Sequence, residues 1–367
     1  MGKPEVFVVV PPGLEELAEE ELAELGIPTE VCPGGLEVGG GLEAVYRTCL
    51  HSRLASRVLV RVGRARATTL ATLATGVRNL GWRRWVHPKQ PLQVHVTLKN
   101  SKLRRRDIVA RKVELAIGDS LKRVRGASRG PSTPAGIWVR IDGEKAELSV
   151  DAAGEHLHRR GWALDRTEAP LRENLAAAVL RGCGWAPGQA LVDPMCGSGT
   201  FLLEAATVLS GRAPGAQRSF AFQAFPEHDA ERWAELQSQL GPLDVDCLLL
   251  GSDIDPEAVR AARANTRRAG VADRVSLEVA DVADLEPPDA LGWVVTNPPY
   301  GQRLSKGKAK RVVGTLGRVL RERFPGWGVA LVLPPGLVGA ARLPLQTVLT
   351  FKNGGSPVVV AAGVVPD

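Results

Sequence analysis

The chain has 367 residues, of which 44% are hydrophobic and 24% are charged, a composition typical of a soluble globular protein with two or three domains. Its apolar runs are shorter than the roughly 20 residues of a membrane helix, and its five cysteines are scattered without a C-x-x-C motif. The sequence therefore argues against a membrane protein, a disulfide framework and a zinc site, and favours the reducing cytoplasm.

The positive charge is concentrated in one segment. The net charge of the whole chain is +7, but residues 44–130 hold 21 Lys and Arg against three Asp and Glu, whereas residues 1–43 hold one against ten. Residues 166–367 hold equal numbers of both. A local excess of this kind indicates a surface that binds a polyanion such as nucleic acid.

The first half of the chain mixes strand and helix patterns. A strand, VFVVV, precedes an amphipathic helix, PPGLEELAEEELAELG, a glycine-broken strand segment, a second helix and a third strand, LVRVGRA. Then come a helix, TTLATLATGVRNLGW, a strand, PLQVHVTL, and a long basic helix or helix pair between Lys99 and Val124. The D-G pair in GIWVRIDGEKAELSVDAAG marks a hairpin. This half is predicted to be α+β.

From Leu171 onward helices and strands alternate strictly. The predicted strands are ALVD, CLLLGSD, RVSLEVAD, WVVT and WGVALVLP. This alternation predicts a doubly wound parallel α/β sheet, whose ligands bind beyond the carboxyl ends of the strands. The linker between the halves is predicted near LHRRGWALDRTEAP.

Three strand ends carry groups that suit an adenosine-bearing ligand. In DPMCGSGT, Gly197 and Gly199 let the backbone approach a ligand at a helix N-terminus, and the spacing is neither a Walker loop nor a G-x-G-x-x-G fingerprint. Asp253 can accept hydrogen bonds from both hydroxyls of a ribose, whereas Asp255 is expected to cap the next helix. Asp281 can accept from an adenine amino group, with a helix cap as the alternative role.

The fourth strand ends in the tetrapeptide NPPY, Asn297 to Tyr300. Pro298 and Pro299 have no N–H, so the sheet ladder stops and the main chain is fixed. The Asn297 carboxamide and the Pro298 carbonyl are expected to face the cleft, where two acceptors suit an exocyclic NH2 group. Tyr300 can stack on the base that carries this amine, and positioning of this kind needs no strong general base. The alternative is a structural Pro-Pro turn.

These motifs resemble those of class I S-adenosylmethionine-dependent amino-methyltransferases, and most closely the bacterial 23S ribosomal RNA guanine-N2 methyltransferases that carry a THUMP RNA-binding domain. LHRRGWALDRTEAPLRENLAAAVL resembles the junction of that family, FKNGG its closing turn, and PPGLEELAEEELAELG its N-terminal ferredoxin-like segment. The resemblance implies a ferredoxin-like segment over residues 1–64, a THUMP-like domain over 65–158, a linker over 159–170 and a Rossmann-like methyltransferase domain over 171–367.

The resemblance also implies S-adenosylmethionine as the cofactor and assigns roles to the residues of the motifs. The implied catalytic residues are Asn297, Pro298, Pro299 and Tyr300. Among the implied cofactor contacts, Asp193 lies near the amino group, and Gly197 and Gly199 contact the methionine part. Asp253 binds the ribose and Asp281 the adenine. Asn174 closes the cofactor pocket.

RNA is the expected partner, without a metal or a membrane, and the protein is expected to be a monomer. The residues expected to bind RNA lie in the basic segment; they are Arg104, Arg105, Arg106, Lys122, Arg123 and Arg125.

Other residues of the sequence have less specific expected roles. The run Lys306–Arg311 is expected either to clamp a phosphate or to begin a solvated helix. His156 and His158 lack further clustered ligands and are expected at the surface or facing RNA. Four tryptophans of this half are expected to be partial core residues: Trp82, Trp85, Trp138 and Trp162.

The motifs leave several alternatives open. A guanosine in a transfer-RNA acceptor stem is the alternative to 23S ribosomal RNA. NPPY also serves protein glutamine and DNA adenine methyltransferases, but the basic segment disfavours the first and an RNA-binding front half the second. The non-enzymatic alternative is an RNA-binding or ribosome assembly factor, and the intact glycine, acidic and NPPY positions argue against it.

Overall fold

Two mixed α/β halves make up the chain, each built around a seven-stranded sheet. The computed structural model describes residues 5–122, 131–165, 171–238, 241, 245–300 and 305–367. The predicted fold class is confirmed: an α+β front half precedes a Rossmann-like back half.

The front sheet has the strand order β2-β3-β1-β4-β7-β6-β5. Its neighbours pair antiparallel except β5 and β6, which are parallel. The elements of this half are β1 Val6–Val9, α1 Glu15–Glu24, β2 Thr29–Cys32, β3 Gly35–Val38, α2 Leu42–His51, β4 Arg57–Arg66, α3 Leu70–Arg78, β5 Leu92–Lys99, α4 Arg106–Leu121, β6 Ala135–Asp142 and β7 Lys145–Asp151. Because β4 pairs with both β1 and β7, the first β-α-β-α-β unit and the strands after it share one sheet.

The back sheet has the order β10-β9-β8-β11-β12-β14-β13. Its elements are α5 Glu173–Cys183, β8 Ala190–Asp193, α6 Thr200–Leu209, α7 Ala230–Ser238, β9 Leu249–Asp253, α8 Pro256–Ala269, β10 Val275–Val279, β11 Gly292–Thr296, α9 Lys306–Arg323, β12 Gly328–Leu333, β13 Gln346–Asn353 and β14 Ser356–Val364. The chain order reverses between β8 and β11, which are parallel neighbours. A doubly wound sheet binds its ligands at the carboxyl ends of the strands around such a reversal.

The strict alternation predicted for the back half is wrong in two places. A short 3-10 turn, Val282–Asp284, rather than an α-helix follows β10. The sheet also gains an antiparallel hairpin, β13 and β14, beside β12. The motif FKNGG, identified as a closing turn, covers the end of β13 and the turn of this hairpin, Gly354-Gly355.

Buried charges join the two halves around Glu204 on α6, the helix that follows the glycine loop. Arg53 donates to this carboxylate at 3.1 Å and Arg160 at 3.4 Å. Arg53 also donates to Thr207 at 2.9 Å and to the carbonyl of Arg212 at 2.8 Å. The side chains of Arg160 and Glu204 are each 1% exposed. The front half is therefore tied to the helix that carries the glycine loop.

An aromatic cluster forms a second contact between the halves. Tyr46 on α2 packs against Phe222 and Trp233, with ring centroids 4.8 and 6.0 Å apart. Its hydroxyl accepts from the backbone N–H of Asp229 at 2.9 Å and lies 3.1 Å from Nδ1 of His228. The segment between the glycine loop and Asp253 thus packs against the front half.

Candidate cofactor and catalytic site

A cavity of about 690 Å³ opens at the carboxyl edge of the back sheet. It brings together the glycine loop, the end of β9, the turn after β10 and the end of β11. The residues that line it are Asp165, Pro194, Met195, Gly197, Asp253, Ile254, Asp255, Glu257, Ala258, Arg260, Ala261, Asp281, Val282, Asn297, Pro299 and Val312. Among these residues five carboxylates face one guanidinium, so the cavity suits a cationic ligand better than a phosphate-bearing one.

The glycine loop turns sharply between β8 and α6. Gly197 and Gly199 have φ values of 54° and 83°, in the left-handed region that favours glycine. The N–H of Gly197 donates to Oδ2 of Asp253 at 2.9 Å, so the loop is tied to the end of the neighbouring strand. Gly197 lines the cavity; Gly199 lies behind it, where an added Cβ would come within 3.1 Å of the Ala262 side chain. Gly199 thus serves the turn and its packing.

The two acids that follow β9 have different partners. One carboxylate oxygen of Asp253 accepts a hydrogen bond from the N–H of Gly197 at 2.9 Å. The other oxygen accepts a hydrogen bond from the N–H of Asp255 at 3.0 Å. Each oxygen of a carboxylate has two lone pairs, so both keep capacity for a ligand. Asp255 accepts the N–H of Glu257 at 2.9 Å and is the N-cap of α8, which confirms the predicted capping role.

Asp193 is the last residue of β8, and Asp281 lies two residues beyond the end of β10, so the two flank the end of β9. Asp193 is 2% exposed, and burial raises the pKa of its carboxyl to about 7, with the nearby charge of Asp253 acting in the same direction. Asp281 lines the cavity and accepts the N–H of Ala283 at 2.9 Å, which caps the short turn after β10. Its other oxygen accepts no hydrogen bond from the described residues.

Asn297 lines the cavity at the end of β11, as the NPPY pattern predicts. Its carboxamide oxygen is buried and has no hydrogen-bond partner among the described residues. An unpaired buried acceptor costs about 1–3 kcal/mol, so this oxygen is available to a donor on a ligand in the cavity. Pro299 also lines the cavity, and Pro298 is buried beside it.

Tyr300 has a partner that the sequence reasoning missed. The side-chain amide of Asn353 donates to the Tyr300 hydroxyl at 3.0 Å. Asn353 is the last residue of β13, next to the Gly354-Gly355 turn. The motif FKNGG contained this residue, but its pairing with a ring 53 positions away depends on the antiparallel hairpin that was not predicted.

The structure places Asn174 away from the cavity lining. Its amide nitrogen donates to the Leu54 carbonyl at 3.3 Å and to the Ser56 hydroxyl at 3.2 Å, both in the front half. The linker residue Asp165 lies in the lining instead. Asn265, which is fully buried, donates to the Asp165 carbonyl at 2.8 Å and to that of Ser198 at 3.1 Å, so it holds the linker against the glycine loop.

The described residues among those expected to bind RNA lie at the two ends of α4. Arg104, Arg105 and Arg106 are exposed at its start, where Arg105 pairs with Asp107 at 2.7 Å. Lys122 is exposed just beyond its last turn. Arg123 and Arg125 lie outside the described residues. Further along the chain, the first turns of α9 carry three exposed basic side chains, those of Lys308, Lys310 and Arg311.

The cysteine and the tryptophans singled out in the sequence are mostly core residues. Burial raises the pKa of the Cys196 thiol, which disfavours a thiolate nucleophile beside the glycine loop. Three of the four tryptophans are buried, which confirms them as core residues: Trp82, Trp85 and Trp162. Trp138 is half-buried and stacks on His95, with ring centroids 4.6 Å apart.

Two classes of feature are absent from the described residues. No group of three or more His, Cys, Asp or Glu side chains there is arranged to hold a metal ion. No helix in the same ranges is long and apolar enough to cross a membrane.

Known proteins match this chain over most of its length. Residues 160–334 match the RMKL-like methyltransferase domain family, and residues 5–59 match the RlmL ferredoxin-like domain family. SMU.472, assigned as a methyltransferase and complexed with SAH, has a TM-score of 0.89 and 27% identity over 100% of both chains. A Listeria monocytogenes protein predicted to be an N6-adenine-specific DNA methylase has a TM-score of 0.89 and 27% identity, over 98% of this chain and 96% of that one.

TrmN from Thermus thermophilus has the same fold, with a TM-score of 0.69 and 22% identity over 98% of this chain and 99% of that one. The match to a methyltransferase domain family covers the residues of the glycine loop, the acids and NPPY, which line one cavity at the sheet edge. Residues 160–334 are thus an RMKL-like methyltransferase domain, and residues 5–59 are an RlmL-type ferredoxin-like domain.

Proposed function

We propose that the protein transfers a methyl group from S-adenosylmethionine to the exocyclic N2 amine of a guanosine in RNA, with 23S ribosomal RNA as the substrate. The observation that carries this proposal is the buried, unpaired carboxamide oxygen of Asn297 in the cavity lining. An amine that donates to this oxygen satisfies it, and NPPY then presents the amine's nitrogen to the cavity.

The lining fits this cofactor. S-adenosylmethionine carries a sulfonium and an ammonium group, and the carboxylates of the lining offset positive charge. Asp253 would accept from the ribose hydroxyls and Asp281 from the adenine amine, while the backbone of Gly197 would lie along the methionine part. The polar atoms of these residues converge on one cavity, as a pre-formed ligand site requires.

The chain's own residues supply positioning. When bound, the cofactor supplies an electrophilic methyl group. Asn297 and the Pro298 carbonyl would accept the two amine hydrogens, which directs the nitrogen lone pair toward the cofactor side of the cavity. Tyr300 would stack on the base, with its hydroxyl held by Asn353. Fixed geometry of this kind lowers the barrier without a strong base.

RNA is the proposed substrate because the basic excess lies in the front half, in residues 44–130, whereas residues 166–367 hold equal numbers of acidic and basic side chains. The exposed cations at the ends of α4 would contact phosphates, which gives affinity with little sequence discrimination. A THUMP-like domain over residues 65–158 remains the proposed RNA-binding module. The tRNA acceptor stem is the second candidate substrate.

Transfer of a labelled methyl group by the purified full chain tests the reaction class. Unmodified 23S rRNA, tRNA, duplex DNA and a bacterial protein extract serve as parallel acceptors. We expect label in RNA and, after digestion, in N2-methylguanosine. Label in N6-methyladenine of DNA, or in protein only, would overturn the proposal.

Asp253→Ala is expected to weaken S-adenosylhomocysteine binding by roughly 1.5–3 kcal/mol, the scale for hydrogen bonds that involve a charged group. The variant removes the ribose acceptor and the partner of the Gly197 N–H. Calorimetric titration measures the affinity. Asp255→Ala is the matched control, because that carboxylate caps α8 and should affect stability more than binding. Unchanged affinity in Asp253→Ala, together with weaker binding in Asp255→Ala, would show that Asp255 and not Asp253 holds the ribose.

Asn353→Ala is expected to slow methyl transfer by roughly 2- to 10-fold, the rate equivalent of one ordinary hydrogen bond, without weakening S-adenosylhomocysteine binding. The chain has two tyrosines, so 3-fluorotyrosine labelling gives two fluorine resonances, and Tyr46→Phe identifies that of Tyr300. The Tyr300 resonance should shift in Asn353→Ala. An unmoved resonance together with an unchanged rate would contradict the role of this pair.

A further inference from the structure

The segment that follows β7 forms a braced loop at the junction of the two halves. The N–H of Leu157 donates to the Ser56 carbonyl at 2.9 Å, which fixes the loop to the front half. From the back half, Arg218 donates to the carbonyls of Glu155 and His156 at 2.8 Å and to that of Arg159 at 3.1 Å. These bonds hold the loop backbone in one conformation.

Two imidazoles stack on this loop. The rings of His156 and His158 have centroids 5.2 Å apart and planes at 27°. The His156 residue is exposed overall, but partial desolvation of its ring lowers the pKa of His156, and the charges of Arg57 and Arg172 act in the same direction. Burial also lowers the pKa of His158, to about 3. Both rings are therefore neutral near pH 7, and each keeps one N–H donor.

Two guanidinium groups lie beside the imidazoles and reach solvent. Arg159 is on the same loop, with 53% of its side chain exposed, and its nearest acid, Glu155, is 3.7 Å away. Arg172 is exposed at the N-cap of α5. Asn174, two residues after Arg172, donates to the Ser56 hydroxyl at 3.2 Å, and Leu157 donates to the Ser56 carbonyl at 2.9 Å, so the start of α5 lies beside the loop that carries Arg159 and the imidazoles. His156 is itself exposed.

This cluster lies at the catalytic edge of the back sheet. The C-cap of α5, Gly184, is next to Trp293 at the amino end of β11. The eleven residues of α5 span about 16 Å, so its other end, with Arg172, reaches the carboxyl edge where Asn297 and Tyr300 lie. Helix α5 also packs on β13 and β14, whose turn follows Asn353. Arg172 is therefore on the NPPY side of the site.

We propose that Arg159 and Arg172, together with His156, bind a backbone phosphate of the RNA strand that enters the NPPY site. The proposal rests on the proposed function, because it takes RNA as the substrate. Arginine recognises phosphate through paired N–H donors, and a neutral imidazole adds a further donor. Such a contact near the reacting base fixes the register of the strand.

The cluster differs in its role from the basic side chains of α4. The α4 cations belong to the front half, whereas Arg172 begins the first helix of the back half. A phosphate held by Arg159 and Arg172 would thus contact the junction itself, which the charges around Glu204 keep rigid. This arrangement would relate the bound strand directly to the cavity.

The test compares the full chain with Arg159→Gln/Arg172→Gln. Its matched control is Arg267→Gln/Arg274→Gln, which removes the same charge near the C-terminal end of α8. Binding of a fluorescent 20-nucleotide single-stranded RNA is measured by anisotropy at several salt concentrations. For a single strand, each phosphate that the protein no longer neutralises lowers the slope of log affinity against log salt by about 0.7. Because the cluster is proposed to bind one phosphate, we expect a slope lower by about 0.7 in the test variant only.

Further readouts separate this site from a failure to fold and from the proposed function. S-adenosylhomocysteine affinity should be unchanged in the test variant, and Arg159→Lys/Arg172→Lys should keep the wild-type slope, because the positive charges remain. A wild-type slope in the glutamine variant would overturn the cluster while leaving the proposed function standing. A lower slope combined with no methyl transfer to RNA by the wild-type protein would support the cluster and overturn the proposed function.

Discussion

Asn297→Ala is expected to lower methyl transfer by at least about 10²–10³-fold, the loss found when one preorganised hydrogen-bonding group is removed from a reacting centre. Affinity for S-adenosylhomocysteine should remain nearly normal. The physical reason is the location of the carboxamide oxygen, which is buried in the cavity lining without a partner among the described residues and can accept the target amine. The bonds that hold the glycine loop to Asp253 do not involve it.

Single-turnover methyl transfer and calorimetric titration measure the two quantities separately. Asn297→Asp is the matched variant, because it keeps an acceptor oxygen of the same shape and should retain more activity than the alanine variant. Near-normal turnover in Asn297→Ala would contradict the catalytic assignment of NPPY. A parallel loss of cofactor affinity would place Asn297 in the cofactor site instead.

Glu204→Ala is expected to lower the free energy of unfolding by about 3–5 kcal/mol, because it leaves buried guanidinium groups without their counter-charge. Arg160 is 1% exposed and Arg53 is 17% exposed in these pairs. Burial alone lowers the pKa of Arg53, and the Glu204 charge opposes this effect. Removing Glu204 therefore exposes the full desolvation cost of two cations.

Urea denaturation followed by tryptophan fluorescence measures this destabilisation. Glu322→Ala is the matched control, since its pair with Arg318 is about half exposed on both sides and exposed pairs contribute about 0–1 kcal/mol. Glu204→Gln keeps the shape of the side chain and removes its charge, so its loss of unfolding free energy should lie between those of Glu204→Ala and Glu322→Ala. A destabilisation in Glu204→Ala no larger than that in the control would show that the network does not hold the halves together.

The parts of the site that the sequence predicted correctly are local. The glycine turn, the capping role of Asp255 and the position of Asn297 after β11 all follow from a few adjacent residues at a strand end. A positive φ, a helix cap or a proline that stops a ladder is decided within a turn of chain, so pattern reasoning finds it.

The features that pattern reasoning missed are long-range. Arg53 and Glu204 are 151 positions apart, and nothing near either residue in the chain predicts that they meet. Asn353 reaches Tyr300 only because β13 and β14 form an antiparallel hairpin, and no strand after WGVALVLP was predicted. Asp165 joins the cavity lining because Asn265, 100 positions further on, holds it there. Asn174 had a similar motif-based assignment, but its amide faces the front half.

The proposed reaction of this chain forms N2-methylguanosine in ribosomal RNA. The most direct measurement is nucleoside mass spectrometry of purified 23S rRNA and tRNA from a strain that lacks the protein, compared with the parent strain and a strain complemented with Asn297→Ala. We predict that N2-methylguanosine falls in 23S rRNA only, and that the Asn297→Ala gene does not restore it. Unchanged N2-methylguanosine in both RNA pools would contradict the proposal, and a loss confined to tRNA would replace 23S rRNA by tRNA as the substrate.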